Sequence, residues 1–169
     1  TFRTEIPQDA DIYIITRQEK FVAETSKNIN AENAIVVHTS GTLPANVLDR
    51  HKHYGVLYPL QTFRKRKPLS ITNINFAIES SDNYTLDTLK FICETIHQNY
   101  VIVESEQRLA LHTTGVLVSN FPNFLYIIAY NLLDKYNLSH EIIKPLIRET
   151  TDRLEQYHPS EVQTGPAVR

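Results

Sequence analysis

The chain has 169 residues, 41% hydrophobic and 21% charged, enough apolar mass for one packed domain with part of a second and too much for a disordered polymer. Seventeen Lys and Arg against 19 Asp and Glu leave a formal net charge of -2, which argues against nucleic-acid binding. The single cysteine, Cys93, excludes an internal disulfide and a cysteine-based zinc site, and suits a reducing, cytoplasmic compartment.

Two further features set expectations. The four glycines, Gly41, Gly55, Gly115 and Gly165, form neither a G-x-G-x-x-G nor a P-loop spacing. The chain starts at Thr1 and contains no methionine, so a piece of a longer protein is expected. No apolar stretch is expected to reach the roughly 18 residues of a membrane span, so no membrane partner is expected.

Asp11-Ile12-Tyr13-Ile14-Ile15 follows a polar turn and is rich in β-branched and aromatic residues, which predicts a buried strand. Residues 18–29 place Phe21, Val22, Thr25 and Ile29 on one side of a short helix. Ala34-Ile35-Val36-Val37 is continuously apolar, as in a parallel strand covered on both faces. Strand, helix and strand over about 30 residues make a βαβ unit. Strands are also predicted at Val56-Leu57-Tyr58, Asn75-Phe76-Ala77-Ile78 and Tyr100-Val101-Ile102-Val103. A helix over 84–97 carries Leu86, Leu89, Ile92, Cys93 and Ile96 on one stripe.

After Ser105, a plausible N-cap, the pattern turns helical and apolar on most sides to about Lys135, with Pro122 expected to kink or restart the helix. A second helix is expected over about 139–156, starting at Ser139 and bent or broken at Pro145. The domain boundary is placed near 103–106, dividing the chain into 1–104 and 105–169. Exposed apolar helices of this kind usually mark an interface, so a homodimer through the second domain is expected.

Several constellations bear on chemistry. His38-Thr39-Ser40-Gly41-Thr42 directly follows a predicted strand, and ligands of open parallel sheets bind beyond the carboxyl ends of strands. An ordinary Ser/Gly turn reads equally from this spacing, whereas a Ser–His hydrolase lacks its G-x-S-x-G elbow. On the long helix, Ser105, Ser119 and Asn123 fall within about 20° of His112, with Asn120 roughly 80° away. Such polar groups are either satisfied core contacts or the wall of a pocket in which His112 exchanges a proton. Arg64-Lys65-Arg66-Lys67 reads as a solvated basic loop. Asp49-Arg50-His51-Lys52-His53 also reads as a solvated loop, because its adjacent cations disfavour a metal.

Five segments occur in order: His38-Thr39-Ser40-Gly41; Tyr54-Gly55-Val56-Leu57-Tyr58-Pro59-Leu60-Gln61-Thr62-Phe63; Leu111-His112 with Ser119-Asn120-Phe121 and Asn123; Lys144-Pro145-Leu146-Ile147 with Glu149-Thr150; and Gln163-Thr164-Gly165-Pro166-Ala167-Val168-Arg169. This series resembles the oxidoreductase-like proteins in which a Rossmann-like domain precedes a DUF2520 domain. The resemblance implies a fold akin to pyrroline-5-carboxylate reductase and the β-hydroxyacid dehydrogenases. A partial α/β parallel-sheet domain would lack its first βαβ and glycine-rich turn. An all-α domain resembling the C-terminal part of 6-phosphogluconate dehydrogenase would follow and dimerise, with its last helices absent.

By the same resemblance, Thr16, His38, Ser40 and Gly41 would border a nicotinamide cofactor, NADP(H) in preference to NAD(H). Relatives often carry an aspartate near Thr16, where this chain reads Thr16-Arg17-Gln18. His112 and Asn120 would be catalytic, and Asn123, Thr164, Gly165 and Pro166 would bind a small-molecule substrate. No metal is implied. The implied function is hydride transfer between the cofactor and a small carbonyl or imine. The alternative is a non-catalytic, nucleotide-binding dimeric scaffold or sensor, since fold does not imply function.

Overall fold

The computed structural model of the chain describes residues 6–63 and 73–165. By packing, the chain falls into two compact units, which divide between Asn120 and Phe121. The first unit therefore runs past the expected boundary at 103–106, which coincides instead with the start of a helix.

The first unit is built on five strands: β1 (Ile12–Ile15), β2 (Ile35–His38), β3 (His53–Pro59), β4 (Asn75–Ser80) and β5 (Asn99–Ile102). They lie side by side in chain order, all of them where the apolar runs predicted. Helix α1 (Val22–Lys27), preceded by a 3-10 turn, links β1 to β2, and α2 (Asn83–Thr95) links β4 to β5. β2 is buried along its whole length and feeds two cores. Val36 packs with Tyr13, Ile15, Val22, Ile29 and Leu48 on one face. Ile35 and Val37 pack with Leu57, Ile78, Leu89 and Cys93 on the other. Alternate side chains leave a strand on opposite faces, so a strand covered twice reads as one unbroken apolar run.

One expectation needs correction. β1, β2 and β3 are parallel, as are β4 and β5, but β3 and β4 pair antiparallel. The sheet is mixed rather than wholly parallel. A parallel link needs a crossover, usually a helix. Here the described ends of the connection carry no helix, and the Leu60 N–H bonds directly to the Asn75 carbonyl, folding the chain back on itself. Gly55 sits within this pairing, opposite Ser80, where a Cβ would run into the Glu79 carbonyl.

Helix α3 (Ser105–Gly115) closes the unit, followed by a wide π-type turn at Val116–Asn120. Its N-cap is Glu104, not Ser105. The Glu104 side chain and the Gln107 side chain bond each other's backbone N–H groups in a capping box. The Ser105 hydroxyl instead donates to Glu79 Oε1 at 2.7 Å and accepts from the Arg108 guanidinium at 3.2 Å.

The second unit holds α4 (Phe121–Lys135), α5 (Lys144–Asp152) and α6 (Pro159–Val162). Pro145 is the second residue of α5, where a missing N–H costs nothing, and marks a restart, whereas Pro122 falls just after the π-type turn inside a continuous helical run. Ser139 caps the turn before α5 by accepting from the Glu141 N–H. His140 stacks on Tyr130 and bonds Asp134 at 2.6 Å. From Phe121 to Gly165 no residue is buried. The helical run Ser105–Lys135 has 31 residues and a mean hydropathy of 1.4 in its most apolar window, long and apolar enough by length and composition to cross a membrane. That corrects the expectation that no stretch reaches this length: residues 109–133 contain no Asp, Glu, Lys or Arg.

Candidate functional site

The loop after β2 is held from within and from behind. His38 is fully buried, and its Nδ1 accepts from the Ser40 N–H at 3.1 Å. Burial pushes its imidazole down from the ordinary 6.5 to about 4, so the ring is neutral near pH 7. The Ser40 hydroxyl accepts from the Thr42 and Leu43 N–H groups, at 3.0 and 2.9 Å, and donates to Glu19. The Thr42 hydroxyl donates to the same carboxylate. These two hydrogen bonds, Ser40 first, hold the Glu19 carboxyl below its ordinary range. Thr16 lies exposed just past β1; from that turn it is Glu19 that bonds the 40–42 loop.

Behind the loop stands Arg108, the largest fully buried side chain among the described residues. Its guanidinium donates to the Ser40 carbonyl at 2.9 Å, the Leu43 carbonyl at 2.7 Å, Glu79 Oε2 at 2.9 Å and the Ser105 hydroxyl at 3.2 Å. A buried cation is tolerated only when paired and fully bonded, and here β4, α3 and the loop share one. Nothing in the sequence pattern singled out Arg108 or Glu79. The available signal was spacing: Arg108 lies three residues past Ser105 and four before His112, on one side of the helix.

His112 sits one turn further along. A Cβ on Gly41 would lie 2.5 Å from His112 Nδ1, so only glycine lets the loop backbone lie this close to the ring. The Tyr58 hydroxyl is 3.0 Å from the same nitrogen, with the two rings edge to face. The loop and the His112 stripe thus meet. The pair stands at the wall of a cleft of about 440 Å³, whose polar lining is Tyr58, Gln61, Thr62, His112, Thr114, Ser119 and Asn120. Leu60, Leu111, Val116 and Val118 supply its apolar wall. The π-type turn brings Ser119 and Asn120 into one lining although ideal helical phasing separates them, and Ser119 pairs with Thr62 at 3.3 Å.

Asn123, Thr164 and Gly165 belong to the second unit and are exposed. Pro166 and the basic run Arg64-Lys65-Arg66-Lys67 lie outside the described residues. The reading of 49–53 as a solvated loop is also corrected. His51 is buried against the Ser26 hydroxyl at 3.0 Å, and His53 opens β3 and bonds Asp82 at 3.0 Å. Among the described residues no three His, Cys, Asp or Glu gather as metal ligands.

The mixed sheet with its dominant parallel pairs and flanking helices is a Rossmann-like α/β architecture, with a cleft of mixed polar and apolar lining on the far side of His112 from the loop after β2. Residues 74–169 match the model of a family described as a domain of unknown function, DUF2520, and the chain belongs to that Rossmann-like, oxidoreductase-like family. The crystal structure of a "putative NADP oxidoreductase" from Bacteroides fragilis is 36% identical with a TM-score of 0.89; the match covers 99% of this chain and 67% of that one. A Thermotoga maritima protein is 24% identical with a TM-score of 0.72, covering 90% of this chain and 62% of its own. Prephenate dehydrogenase from Aquifex aeolicus is 13% identical with a TM-score of 0.52, a likeness of fold alone, covering 75% of this chain and 50% of its own. The chain thus spans about two thirds of the length of the first two. No curated protein matches it significantly.

Proposed function

We propose that the protein is an NAD(P)-dependent oxidoreductase acting on a small carbonyl or imine, with NADP(H) as the cofactor and NAD(H) as the alternative. The observation that carries this reading is the meeting of His112 with Gly41 and Tyr58, where His112 and Tyr58 line a largely apolar cleft that holds several polar groups. Family membership and the description of the Bacteroides fragilis relative support it.

The residues present fit the nicotinamide ring of the reduced cofactor, which is uncharged. The loop 38–42 lies beyond the carboxyl end of β2, and its polar groups are hydroxyls, amides and a neutral imidazole. When bound, the cofactor supplies the hydride chemistry. This chain's own residues hold the geometry and handle the proton. Gly41 presents bare backbone, and His38 supports the loop from beneath. Ser40 acts by shaping the loop rather than by reaching a ligand, because its hydroxyl is already taken up by Glu19, Thr42 and Leu43. His112 gives or takes one proton at the substrate's oxygen or nitrogen, and the Asn120 amide orients that group. Asn123, Thr164, Gly165 and Pro166 are proposed to contribute from the second unit. That unit's exposed apolar residues are proposed to form a homodimer, and the compartment is proposed to be cytoplasmic.

The test is titration calorimetry of the full-length protein with NADPH and NADH, followed by cofactor oxidation over a panel of carbonyls and imines. His112→Asn should leave folding intact and lower turnover about 10²–10⁴-fold, the usual scale for a general acid or base. Absence of binding and turnover with both cofactors overturns the reading. A large melting shift with unchanged specific activity removes His112 from the mechanism.

A further inference from the structure

The contact between Tyr58 and His112 at the cleft wall has no part in the proposed proton transfer. Tyr58, near the end of β3, bonds His112 Nδ1 at 3.0 Å, and no other hydrogen-bond partner of its hydroxyl occurs among the described residues. The opposite nitrogen, Nε2, has no hydrogen-bond partner among the described residues, while the residue itself lines the cleft. Gly41 closes the Nδ1 side of the ring, since a Cβ there would lie 2.5 Å from that atom. The imidazole is therefore wedged between a backbone and a phenol.

We infer that Tyr58 is the positioning residue for His112: its hydroxyl donates to Nδ1, so the neutral ring carries its proton on Nε2, the nitrogen left for an occupant of the cleft. An imidazole nitrogen that accepts a hydrogen bond cannot carry the proton, so one donor selects the tautomer. The reverse arrangement, with Nδ1–H donating to Tyr58, would leave the half-buried phenol proton without a protein acceptor. Burial pushes the Tyr58 phenol above its ordinary range, so it keeps its proton at neutral pH.

The other charged groups around the ring do not compete. Glu19, from the turn after β1, is held by Ser40 and Thr42. Arg108, one turn back on α3, is held by Glu79, Ser105 and two carbonyls. Neither bonds the imidazole. The inference deepens the proposed role of His112 and rests on the cleft being the reactive site, but the tautomer itself can be read without any substrate.

The experiment is long-range proton–nitrogen NMR on full-length protein labelled with ¹⁵N-histidine, with His112→Asn identifying the His112 signals among the seven histidines. At a pH where the ring is neutral, Nε2 should show a pyrrole-type shift and Nδ1 a pyridine-type shift. Tyr58→Phe removes only the hydroxyl. It should move both nitrogens toward intermediate shifts and change the tautomer ratio about fivefold, the ordinary net worth of one hydrogen bond. A pyrrole-type Nδ1 in the unmodified protein, or an unchanged ratio in Tyr58→Phe, overturns the inference. Should the variant fail to fold, the unmodified protein's spectrum still decides. NADPH titration run alongside separates the two ideas, because absence of cofactor binding defeats the oxidoreductase reading and leaves the tautomer result standing.

Discussion

The loop 38–43 and helix α4 solve opposite problems. The loop is polar and half-buried, held by a network in which Arg108, Glu79, Ser105, Ser40 and Glu19 all find partners. Helix α4 is apolar yet exposed: Phe124 is 59% accessible and Leu125 61%. The loop's geometry is therefore set inside its own unit. The energy of α4's side chains is realised only when something covers them. Polar groups in the first region are expected to carry stability, and apolar groups in the second to carry association.

The largest expected effect tests the first half of that contrast. Arg108→Leu would leave Glu79 without its cation and the Ser40 and Leu43 carbonyls without donors. Breaking one partner of a buried pair costs about 3–5 kcal/mol, so calorimetric melting should fall steeply. A shift of only a degree or two would break the comparison.

Next comes pH. The folded protein holds His38 neutral down to about 4, whereas the unfolded chain takes up that proton below the ordinary 6.5. The unfolded state binds more protons between those values, so stability falls as pH drops from 6.5 to 4, by something on the order of 3 kcal/mol. His51, lowered by burial, acts in the same direction. Asp82 acts at lower pH. Burial pushes its carboxyl up, but bonds from Thr85, His53 and Ser81 hold it below the ordinary range. Its contribution is present above about 4 and is lost on further acidification. Urea midpoints from pH 4 to 7 should show the slope, and His38→Gln should flatten it.

Gly41→Ala sharpens the contrast at one contact. The new methyl group would meet His112 Nδ1, Cγ and Cβ, so the ring must move and the Tyr58 bond must open. Overpacking of this kind costs about 1–3 kcal/mol. A folded Gly41→Ala protein should show His112 NMR shifts displaced from those of the unmodified one.

The smallest expected effect on folding lies in α4. Leu125→Glu should change stability by under about 0.5 kcal/mol, as exposed substitutions do. In sedimentation it should shift the proposed dimer toward monomer. A folded Leu125→Glu protein that stays dimeric removes this face from the interface.

Much of the fold was legible because it rests on local pattern. The five strands follow from continuous apolar runs, and the α2 stripe of Leu86, Leu89, Ile92 and Cys93 meets the sheet as helical spacing requires. The antiparallel turn from β3 to β4 was less legible, because apolar runs carry no strand direction; Gly55 was the one local sign of a close backbone approach. In the site, the 38–42 loop and His112 stood out as polar groups beside apolar elements. Arg108, Glu79 and Tyr58 did not, because an arginine in a first helical turn and a tyrosine in a strand are ordinary surface and core residues until their partners are known.

What the sequence by itself determined is the order and type of the elements, the two-sided burial of β2, and the presence of imidazole, hydroxyl and amide groups at the end of β2 and along α3. Periodicity and side-chain chemistry are local properties and can be read one segment at a time. Only the tertiary structure decided which of those groups meet. Gly41 and His112 lie 71 positions apart, and Tyr58 and His112 lie 54 apart, yet each pair is in contact. Strand register and the buried guanidinium of Arg108 set those distances, and both arise from packing between segments rather than within any one of them.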